Sequence, residues 1–325
     1  MNSKEYVLEL LESRRGQSIS GEYIAEQLKV SRNAVWKAVK ELEKEGYKIT
    51  AIPNKGYCLS EDNDIVSVQG MLPYLRDRKA FENIFVYDCL ESANQTAKEM
   101  ALSGVPHGTV VIADRQTAGK GRYGRKFHSP PGNGIYMSLI LCPTQLGFSS
   151  PTLITASTAV SVCEAIEAVS DKKPQIKWVN DIFIDRKKIC GILTEAVMDF
   201  ESGITQWIVV GIGINFSRPE GNFPQDLQEV AGTVFEESNP PTTRNHLIAE
   251  VVNRMVFSEG GYGDTEMLAH YKQRMFMLGE RVSVTRGSEQ FEAVALDIDQ
   301  GGQLIVRADG EVLSLTAGEV RVRPQ

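Results

Sequence analysis

The 325-residue chain has few of the residues that structural disulfides and metal sites require. Its five cysteines include no Cys-x-x-Cys pair, which argues against a disulfide framework and against a zinc knot. Its four histidines have no metal-ligand spacing. No run of roughly 18 apolar residues occurs, and the first residues lack the apolar stretch of a secretory signal. We therefore expect a cytoplasmic protein without a membrane partner.

An excess of positive charge is also lacking, since 35 lysines and arginines face 42 aspartates and glutamates, for a net charge of −7. Any contact with nucleic acid must therefore come from a local basic surface. Residues 1–60 contain ten basic and eight acidic residues, a balance of +2, which leaves −9 for the rest of the chain. This distribution makes the amino-terminal segment the candidate for DNA binding.

The amino-terminal segment has the pattern of a winged helix-turn-helix. Apolar spacing predicts a helix over residues 5–14, and Ser20 and Ser31 are suited to cap two further helices. Two β-prone segments, 47–52 and 57–59, follow on either side of a Pro-Asn-Lys-Gly turn. Three short helices followed by a hairpin are the winged-helix plan.

The third of these helices has a polar face opposite its apolar one. Arginine and asparagine near a helix amino terminus suit base edges in a major groove, and lysines further along suit phosphates. A small helical bundle with a solvated basic face is the alternative, and the hairpin after the third helix favours DNA binding. The candidate DNA-binding residues, one of them in the hairpin turn, are Arg32, Asn33, Trp36, Lys37, Lys40 and Lys55.

Composition and strand patterns divide the chain into three predicted domains. The acidic run 61–64 marks the first boundary, so that residues 1–63 form the winged helix-turn-helix. Residues 64–276 alternate helix and strand signals, which predicts an α/β or α+β domain. Residues 277–325 contain short strands with frequent glycine turns, which predicts a small β-barrel.

A glycine-rich segment lies in the central domain. Gly119, Gly121 and Gly124 match the Gly-x-Gly-x-x-Gly fingerprint of dinucleotide-binding folds, but that motif must lead into a helix. Here Ser-Pro-Pro-Gly-Asn-Gly and a strand follow, so we reject a Rossmann fold, and no Gly-Lys-Ser/Thr ending supports a P-loop. Lys120 and Arg122 suit a loop that closes over a nucleotide phosphate. A disordered basic surface loop is the alternative.

Polar residues interrupt otherwise apolar strands at several points. Two lysines lie in these strands, namely Lys188 and the lysine that begins the Lys-Trp-Val-Asn-Asp run ending at Asp181. A buried lysine is energetically costly unless an anion pairs with it. That anion is either a bound ligand or the carboxylate of Asp181. Gly211 and Gly213 lie inside a strand, which indicates close approach by a ligand or another chain. Ser92 opens a capping box with Gln95, which alone accounts for its presence.

Five motifs, in this order behind a winged helix, resemble those of the bacterial family of bifunctional biotin–protein ligases and biotin operon repressors. The resemblance covers nearly the whole chain. The motifs are Ser92-Ala93-Asn94, the segment 116–125 with Gly-Lys-Gly-Arg, Lys177-Trp178-Val179-Asn180-Asp181-Ile182, Lys188-Ile189-Cys190-Gly191-Ile192-Leu193-Thr194-Glu195, and Gly211-Ile212-Gly213-Ile214-Asn215.

The resemblance implies a catalytic domain with a mixed, largely antiparallel sheet and a carboxyl-terminal SH3-like barrel. It also implies two half-reactions. The carboxylate of biotin attacks the α-phosphate of ATP to give biotinyl-5′-AMP and pyrophosphate, and a carrier-protein lysine then attacks the mixed anhydride. The carrier would be the biotin carrier subunit of acetyl-CoA carboxylase or of another biotin carboxylase.

The same resemblance implies roles for individual residues. Lys188 would hold the biotin carboxylate and the α-phosphate region, and Arg122 would bind the adenylate and exclude water. Asp181 is a candidate ligand of Mg²⁺ or partner of lysine. The residues that would line the biotin and adenylate site are Ser92, Ala93, Asn94, Gln116, Gly119, Lys120, Gly121, Arg122, Lys188 and Asn215.

The chain departs from the family pattern at three positions. Lys120 stands where arginine is common, which keeps the charge but loses the fork geometry. Val179 stands where proline is usual. Ala93 stands where threonine is usual, so that a contact with biotin there would be backbone or apolar only. None of these differences removes a required charge.

By the same resemblance, biotinyl-5′-AMP would serve as corepressor. The adenylate would order the loop, two copies would associate by extending their sheets through strands 188–197 and 206–214, and the dimer would bind operator DNA of biotin biosynthesis genes. Two other functions stay open at this point. One is a biotin- or nucleotide-sensing regulator without turnover, against which Lys188 and the basic loop argue. The other is a lipoate–protein ligase, against which Gly-Lys-Gly-Arg and the winged helix argue.

Overall fold

Three helices and a small sheet form the amino-terminal part of the chain in the computed structural model, which describes residues 2–146, 150–198, 203–219, 221–256, 265–286, 288–316 and 319–322. The helices are α1 (Ser3–Glu12), α2 (Gly21–Leu28) and α3 (Arg32–Lys44). The strands β1 (Ser18–Ile19), β2 (Ile49–Ile52) and β3 (Gly56–Leu59) pair antiparallel in the order β1-β3-β2. The winged helix-turn-helix predicted from the sequence is therefore confirmed.

The two predicted helix caps are present. The side chain of Ser20 accepts a hydrogen bond from the Tyr23 amide, and that of Ser31 accepts one from the Ala34 amide. Serine at these positions satisfies a backbone donor that the first helical turn leaves without a partner. Behind the caps, Val35 and Val39 of α3 are buried against the other two helices.

A seven-stranded sheet in the order β4-β5-β6-β10-β9-β8-β7 forms the centre of the molecule. Only the β4–β5 pair is parallel; the other pairs in this sheet are antiparallel, as the family resemblance implied. The strands are β4 (Ile84–Leu90), β5 (Thr109–Gln116), β6 (Gly134–Leu141), β7 (Gln175–Lys177), β8 (Asp181–Ile184), β9 (Lys187–Met198) and β10 (Thr205–Asn215).

This strand order corrects the interface expected at strands 188–197 and 206–214. Strand β10 pairs with β9 on one side and with β6 on the other, so its backbone groups are already used and it is not a free edge. Strand β9 pairs with β8 only as far as Gly191. Within the described residues, no strand pairs with β9 on that side from Leu193 to Met198.

Helices cover both faces of the sheet. The helices here are α4 (Val68–Met71), α5 (Ala93–Leu102), α6 (Pro143–Leu146), α7 (Pro151–Val169), α8 (Arg244–Val256) and α9 (Thr265–Arg274). Alternate residues of a strand point to opposite faces. Val209 packs in the cluster that contains α5, whereas Val210 packs in the cluster that contains α7 and α8.

Helix α7 is long and apolar enough to span a membrane by length and composition alone. In the fold, 61% of its apolar window is buried. Its residues Ile154 and Ile166 are fully buried in the main core, and the helix packs against α8, α9 and β9. Its hydrophobicity is thus that of a core helix.

The carboxyl-terminal strands form one antiparallel sheet in the order β14-β13-β12-β11-β15. The short strands and glycine turns predicted for this part are present. The predicted barrel is not closed, because among the described residues β14 and β15 do not pair with each other. The strands are β11 (Arg281–Arg286), β12 (Glu289–Ile298), β13 (Leu304–Ala308), β14 (Glu311–Leu315) and β15 (Glu319–Val322).

The acidic run at 61–64 is anchored rather than free. Arg244, which is 3% exposed at the start of α8, donates from Nε to Asp64 Oδ2 at 2.9 Å and from Nη1 to Asp114 Oδ1 at 2.7 Å. The same Nη1 donates to the carbonyl of Gly134 at 3.2 Å. One buried guanidinium therefore joins the end of the winged-helix segment to the end of β5 and the beginning of β6.

We expect Arg244→Met to lower the free energy of unfolding by about 3 kcal/mol, because it leaves two carboxylates without their buried partner. The matched control is Arg254→Met, which removes a partly exposed pair with Glu250 from the same helix and should cost about 0.5 kcal/mol. Urea unfolding followed by the fluorescence of the three tryptophans measures both. Equal losses in the two variants would show that the Arg244 contacts carry no special weight.

Candidate functional site

A cleft of about 1240 Å³ opens between the central sheet and the glycine-rich loop. Its size exceeds the roughly 300–1,000 Å³ usual for small-molecule sites, which suits a ligand made of two joined parts. All but one of the residues predicted to bind ligand lie in its wall. The predicted residues that line it are Ser92, Ala93, Asn94, Gln116, Lys120, Gly121, Arg122, Asp181, Lys188 and Asn215.

Gly119, the exception, packs behind the wall of the cleft. A Cβ atom at this position would lie 2.8 Å from Ser129 Oγ and 2.9 Å from the carbonyl oxygen of Phe127, closer than any side chain tolerates. Its own carbonyl accepts a hydrogen bond from the Phe127 amide at 2.9 Å. Glycine is thus needed here so that the loop can fold back on itself.

The glycine-rich segment is an ordered turn over the cleft. The Gly121 amide donates to the Arg125 carbonyl at 2.7 Å, which closes the loop into a narrow hairpin-like turn. From this turn Arg122 Nη1 donates to Asn180 Oδ1 at 3.0 Å. The alternative of a disordered surface loop therefore does not describe this structure.

The floor of the cleft has no side chains at the points where other parts of the protein approach it. Gly191 and Gly213 face each other across the β9–β10 pair. A Cβ atom on Gly213 would lie 2.5 Å from the ring of Phe127, and one on Gly211 would overlap the side-chain amide of Asn94. Close approach was correctly predicted at these strand glycines, but the approaching groups belong to the chain itself.

Lys188 and Asp181 form an ion pair in the wall of the cleft. The distance from Lys188 Nζ to Asp181 Oδ1 is 2.6 Å. The backbone of Lys188 is held as well, since its amide donates to the Val230 carbonyl and its carbonyl accepts from the Gly232 amide, both at 2.9 Å. The pairing that the sequence left open is therefore present, and it holds the ammonium group at a fixed place beside the cleft.

Neutral polar groups gather at the beginning of α5. The Ala93 amide donates to Gln116 Oε1 at 2.8 Å, and Gln116 Nε2 donates to Ser129 Oγ at 3.0 Å. Ser92 caps α5 as its sequence context predicted, accepting from the Gln95 amide at 3.4 Å. This end of the cleft offers hydroxyl and amide groups.

The side chain of Asn94 is held by three partners within the protein. Its Nδ2 donates to Glu195 Oε2 at 2.9 Å and to the Leu193 carbonyl at 3.3 Å, while its Oδ1 accepts from Ser138 Oγ at 2.6 Å. These bonds fasten α5 to β6 and β9. A ligand contact of Asn94 stays a prediction, and the observed contacts give it a part in the shape of the cleft.

Glu195 is a partly buried carboxylate that the sequence did not single out. Burial alone would raise its pKa, but hydrogen bonds from Lys98, at 2.8 Å, and from Asn94 outweigh this effect and lower it. Glu195 is therefore a carboxylate at neutral pH, and the acceptor-only carboxylate fixes which end of the Asn94 amide faces β9. Its position in an apolar strand was the available signal.

Asn215 lies at the opposite end of the cleft. Its Nδ2 donates to the Gly232 carbonyl at 2.9 Å, and its own carbonyl accepts from the Val234 amide at 2.9 Å. These bonds fix the segment that also holds the backbone of Lys188. Asn215 thus shapes the wall beside the lysine.

No set of three or more histidine, cysteine or acidic side chains is placed to hold a metal within the residues that the structure describes. The cleft wall does contain carboxylates, namely those of Asp181, Glu229 and Glu280. Mg²⁺ is usually bound by one or two carboxylates together with substrate phosphates. The donors present therefore fit a cation that a polyphosphate brings with it.

The polar face of α3 points to solvent. Trp36 is 48% exposed, and its neighbours on this face are exposed as well. Lys40 pairs with Glu43 at 2.6 Å, whereas Lys55 stands exposed in the turn between β2 and β3. The predicted DNA-binding residues are thus accessible, five of them on α3 and one in the β2–β3 turn, and their contact with DNA stays a prediction.

Sequence comparison matches three families along the chain. Residues 4–58 match an HTH domain, residues 86–215 match the Biotin/lipoate A/B protein ligase family, and residues 277–323 match the Biotin protein ligase C terminal domain. The matches follow the order of the three parts of the fold.

Individual proteins are similar over almost the full length. The Bifunctional ligase/repressor BirA of Bacillus spizizenii is 32% identical over 319 residues, which cover 97% of each chain. That of Escherichia coli is 25% identical over 95% of this chain and 94% of its own. Among solved structures, the biotin protein ligase of Aquifex aeolicus in complex with biotin and ATP aligns with a TM-score of 0.62 at 26% identity, covering 75% of this chain and 100% of that one. The chain belongs to the family of bifunctional biotin ligase/repressors.

Proposed function

We propose that this protein joins biotin to ATP, transfers the biotinyl group to a carrier-protein lysine, and represses transcription by binding DNA. The observation that carries the enzymatic part is the convergence of two cations from different segments on one cleft. Lys188 is fixed by Asp181 in the wall, and Arg122 reaches across from the glycine-rich loop to Asn180, the neighbour of Asp181. Such an arrangement suits a reaction that brings two anions together.

In the first half-reaction, a carboxylate oxygen of biotin attacks the α-phosphorus of ATP, and the bond to the leaving pyrophosphate breaks. Carboxylate and triphosphate repel each other, so the barrier falls when fixed positive charge lies between them. Lys188 supplies this charge at a site already oriented by Asp181, which limits the reorganisation needed on binding.

In the second half-reaction, the ε-amine of the carrier lysine attacks the acyl carbon of the mixed anhydride. An amide bond forms, the bond to AMP breaks, and the amine loses a proton. Water is the competing nucleophile, so the adenylate must stay covered until the carrier arrives. The ordered glycine-rich loop with Arg122 provides that cover.

The biotin ring would occupy the neutral end of the cleft. Its ureido group has both donors and acceptors, which neutral polar side chains satisfy without a charge penalty. Ser92 and Gln116 stand there, and the Ala93 position offers its methyl group. The adenylate would extend from this end past Lys188 toward Asn215.

Mg²⁺ would enter with ATP, where it neutralises the phosphate charge. We propose that Asp181 would hold this Mg²⁺ together with the phosphates of ATP. The Lys188–Asp181 pair shows that this carboxylate also orients a lysine, so both roles meet at one residue.

DNA binding would use the exposed face of α3 in a major groove and the β2–β3 turn beside it. We propose that two copies associate on operator DNA through the open side of β9 from Leu193 to Met198, since an unpaired strand edge is a template for a second chain. Biotinyl-5′-AMP would be the corepressor because the loop that covers it lies over the same sheet.

The ligase assignment predicts that biotin, and not lipoate, yields an acyl-adenylate. The full chain is mixed with ATP and Mg²⁺ and with biotin, lipoate or no acid, and pyrophosphate release and the mass of the bound adenylate are measured. Adenylate with lipoate would move the protein to the related lipoate ligases. Biotin binding without any adenylate would leave a regulator without turnover.

We expect Lys188→Ala to slow adenylate formation by about 10²–10³-fold, since a fixed charge is lost where negative charges meet. Lys187→Ala is the matched control, because Lys187 is the adjacent residue and is exposed. Single-turnover pyrophosphate release measures both. Near-normal rates in Lys188→Ala would remove this residue from the proposed role.

The double variant Arg32→Ala/Lys37→Ala should lose binding to DNA while adenylate formation is retained. Duplexes selected from a random pool on the wild-type protein with biotin and ATP serve as the probe. Each lost phosphate contact should lower the salt slope of the binding constant by about 1. Lys44→Ala, at the far end of α3, is the control, and equal loss in that variant would refute the assigned face.

A further inference from the structure

Asn180 stands across the cleft from the glycine-rich loop, and its orientation is fixed by the backbone of β9. Its Nδ2 donates to the Ile192 carbonyl at 2.9 Å, and the Ile192 amide donates to the Asn180 carbonyl at 2.9 Å. The Ile192 carbonyl can only accept, so the amide nitrogen of the side chain must face it. The side-chain oxygen is thereby turned toward the loop.

This oxygen accepts a hydrogen bond from the glycine-rich loop. Arg122 Nη1 donates to Asn180 Oδ1 at 3.0 Å, across 58 positions of sequence. On its other side the guanidinium contacts Tyr123, with Nη2 at 3.2 Å from the hydroxyl and Cζ at 5.2 Å from the ring centre. Tyr123 is 66% exposed, so this second contact lies toward solvent.

We propose that Asn180 is a positioning residue that fastens the glycine-rich loop through Arg122 and so sets how long the acyl-adenylate is retained. The inference rests on the proposed ligase function. The reactive anhydride is hydrolysed or released when the loop that covers it opens. A hydrogen bond from the charged Arg122 to Asn180 stabilises the closed loop and so opposes this loss.

The neutral amide is suited to this task. A carboxylate at the same place would also accept from Arg122, but it would add negative charge beside the phosphates and would face the Ile192 carbonyl with no donor. Asparagine holds the arginine and leaves its positive charge available to the adenylate. It also satisfies the β9 carbonyl with its own nitrogen.

The retention test compares the full-length wild type with Asn180→Ala, Arg122→Ala and the double variant. Each is loaded with biotin and MgATP, freed of excess ligand, and followed by mass for loss of adenylate in the absence of carrier. We expect loss to be about tenfold faster in Asn180→Ala, with a smaller change in the rate of formation. The double variant should lose adenylate no faster than Arg122→Ala, since both changes break one contact.

The matched control is Tyr123→Phe, which removes a hydrogen bond to the same guanidinium on the solvent side. Loss should change there by less than about threefold. If the Asn180 and Arg122 effects multiply in the double variant, Asn180 does not act through Arg122. If loss is unchanged in Asn180→Ala, the loop is held by other contacts.

Trypsin cleavage of the ligand-free protein gives a readout that needs no catalysis. The loop contains Lys120, Arg122 and Arg125 as cleavage sites. Cleavage there should be faster in Asn180→Ala than in wild type, whereas Asn180→Asp, which keeps an acceptor for Arg122 but not the donor to Ile192, should stay protected. Equal cleavage in the alanine and aspartate variants would assign the effect to β9 and overturn the proposal. Absence of adenylate in the wild type would instead refute the ligase function and leave this cleavage result standing.

Discussion

The cleft depends on the absence of side chains at the centre of the sheet. Two neighbouring strands carry no side chains on the face that Phe127 and Asn94 contact, because the residues there are Gly191, Gly211 and Gly213. Any Cβ on Gly211 or Gly213 would push these groups away, and with them the glycine-rich loop and the beginning of α5. Close packing of interiors gives no room for compensation. The position of the loop, and hence of Arg122, thus follows from a backbone surface.

On this surface the chain arranges charge by location. One end of the cleft is neutral and polar, around Ser92 and Gln116, and the other contains Lys188 with its carboxylate partner. The two proposed ligands differ in charge in the same way, since biotin has an uncharged ring system and ATP has a charged polyphosphate. An acidic chain can thus offer a site for anions through the local placement of a few cations, with no need for an overall positive charge.

Local patterns allowed much of this to be predicted. The capping serines, the periodicity of α3 and the turn before β3 identify the winged helix, because each signal lies within a few residues. The missing helix after Gly124 correctly excludes a dinucleotide fold. The partners of Asn94, the β9 edge and the open carboxyl-terminal sheet could not be predicted, since pairing between strands depends on tertiary context. Strand β1, with two residues, is too short to show a period.

The contacts of Arg244 also have a consequence for synthesis of the chain. The arginine lies 180 positions after Asp64 and 130 after Asp114. Domains form from the amino terminus as the chain emerges, at roughly 5–20 residues per second, so about 9–36 s separate Asp64 from Arg244 on the ribosome and about 7–26 s separate Asp114 from it. The winged helix, held by short-range contacts, can fold in that interval, before Arg244 is available to contact Asp64. A nascent chain can therefore have a folded winged helix before its cleft is complete.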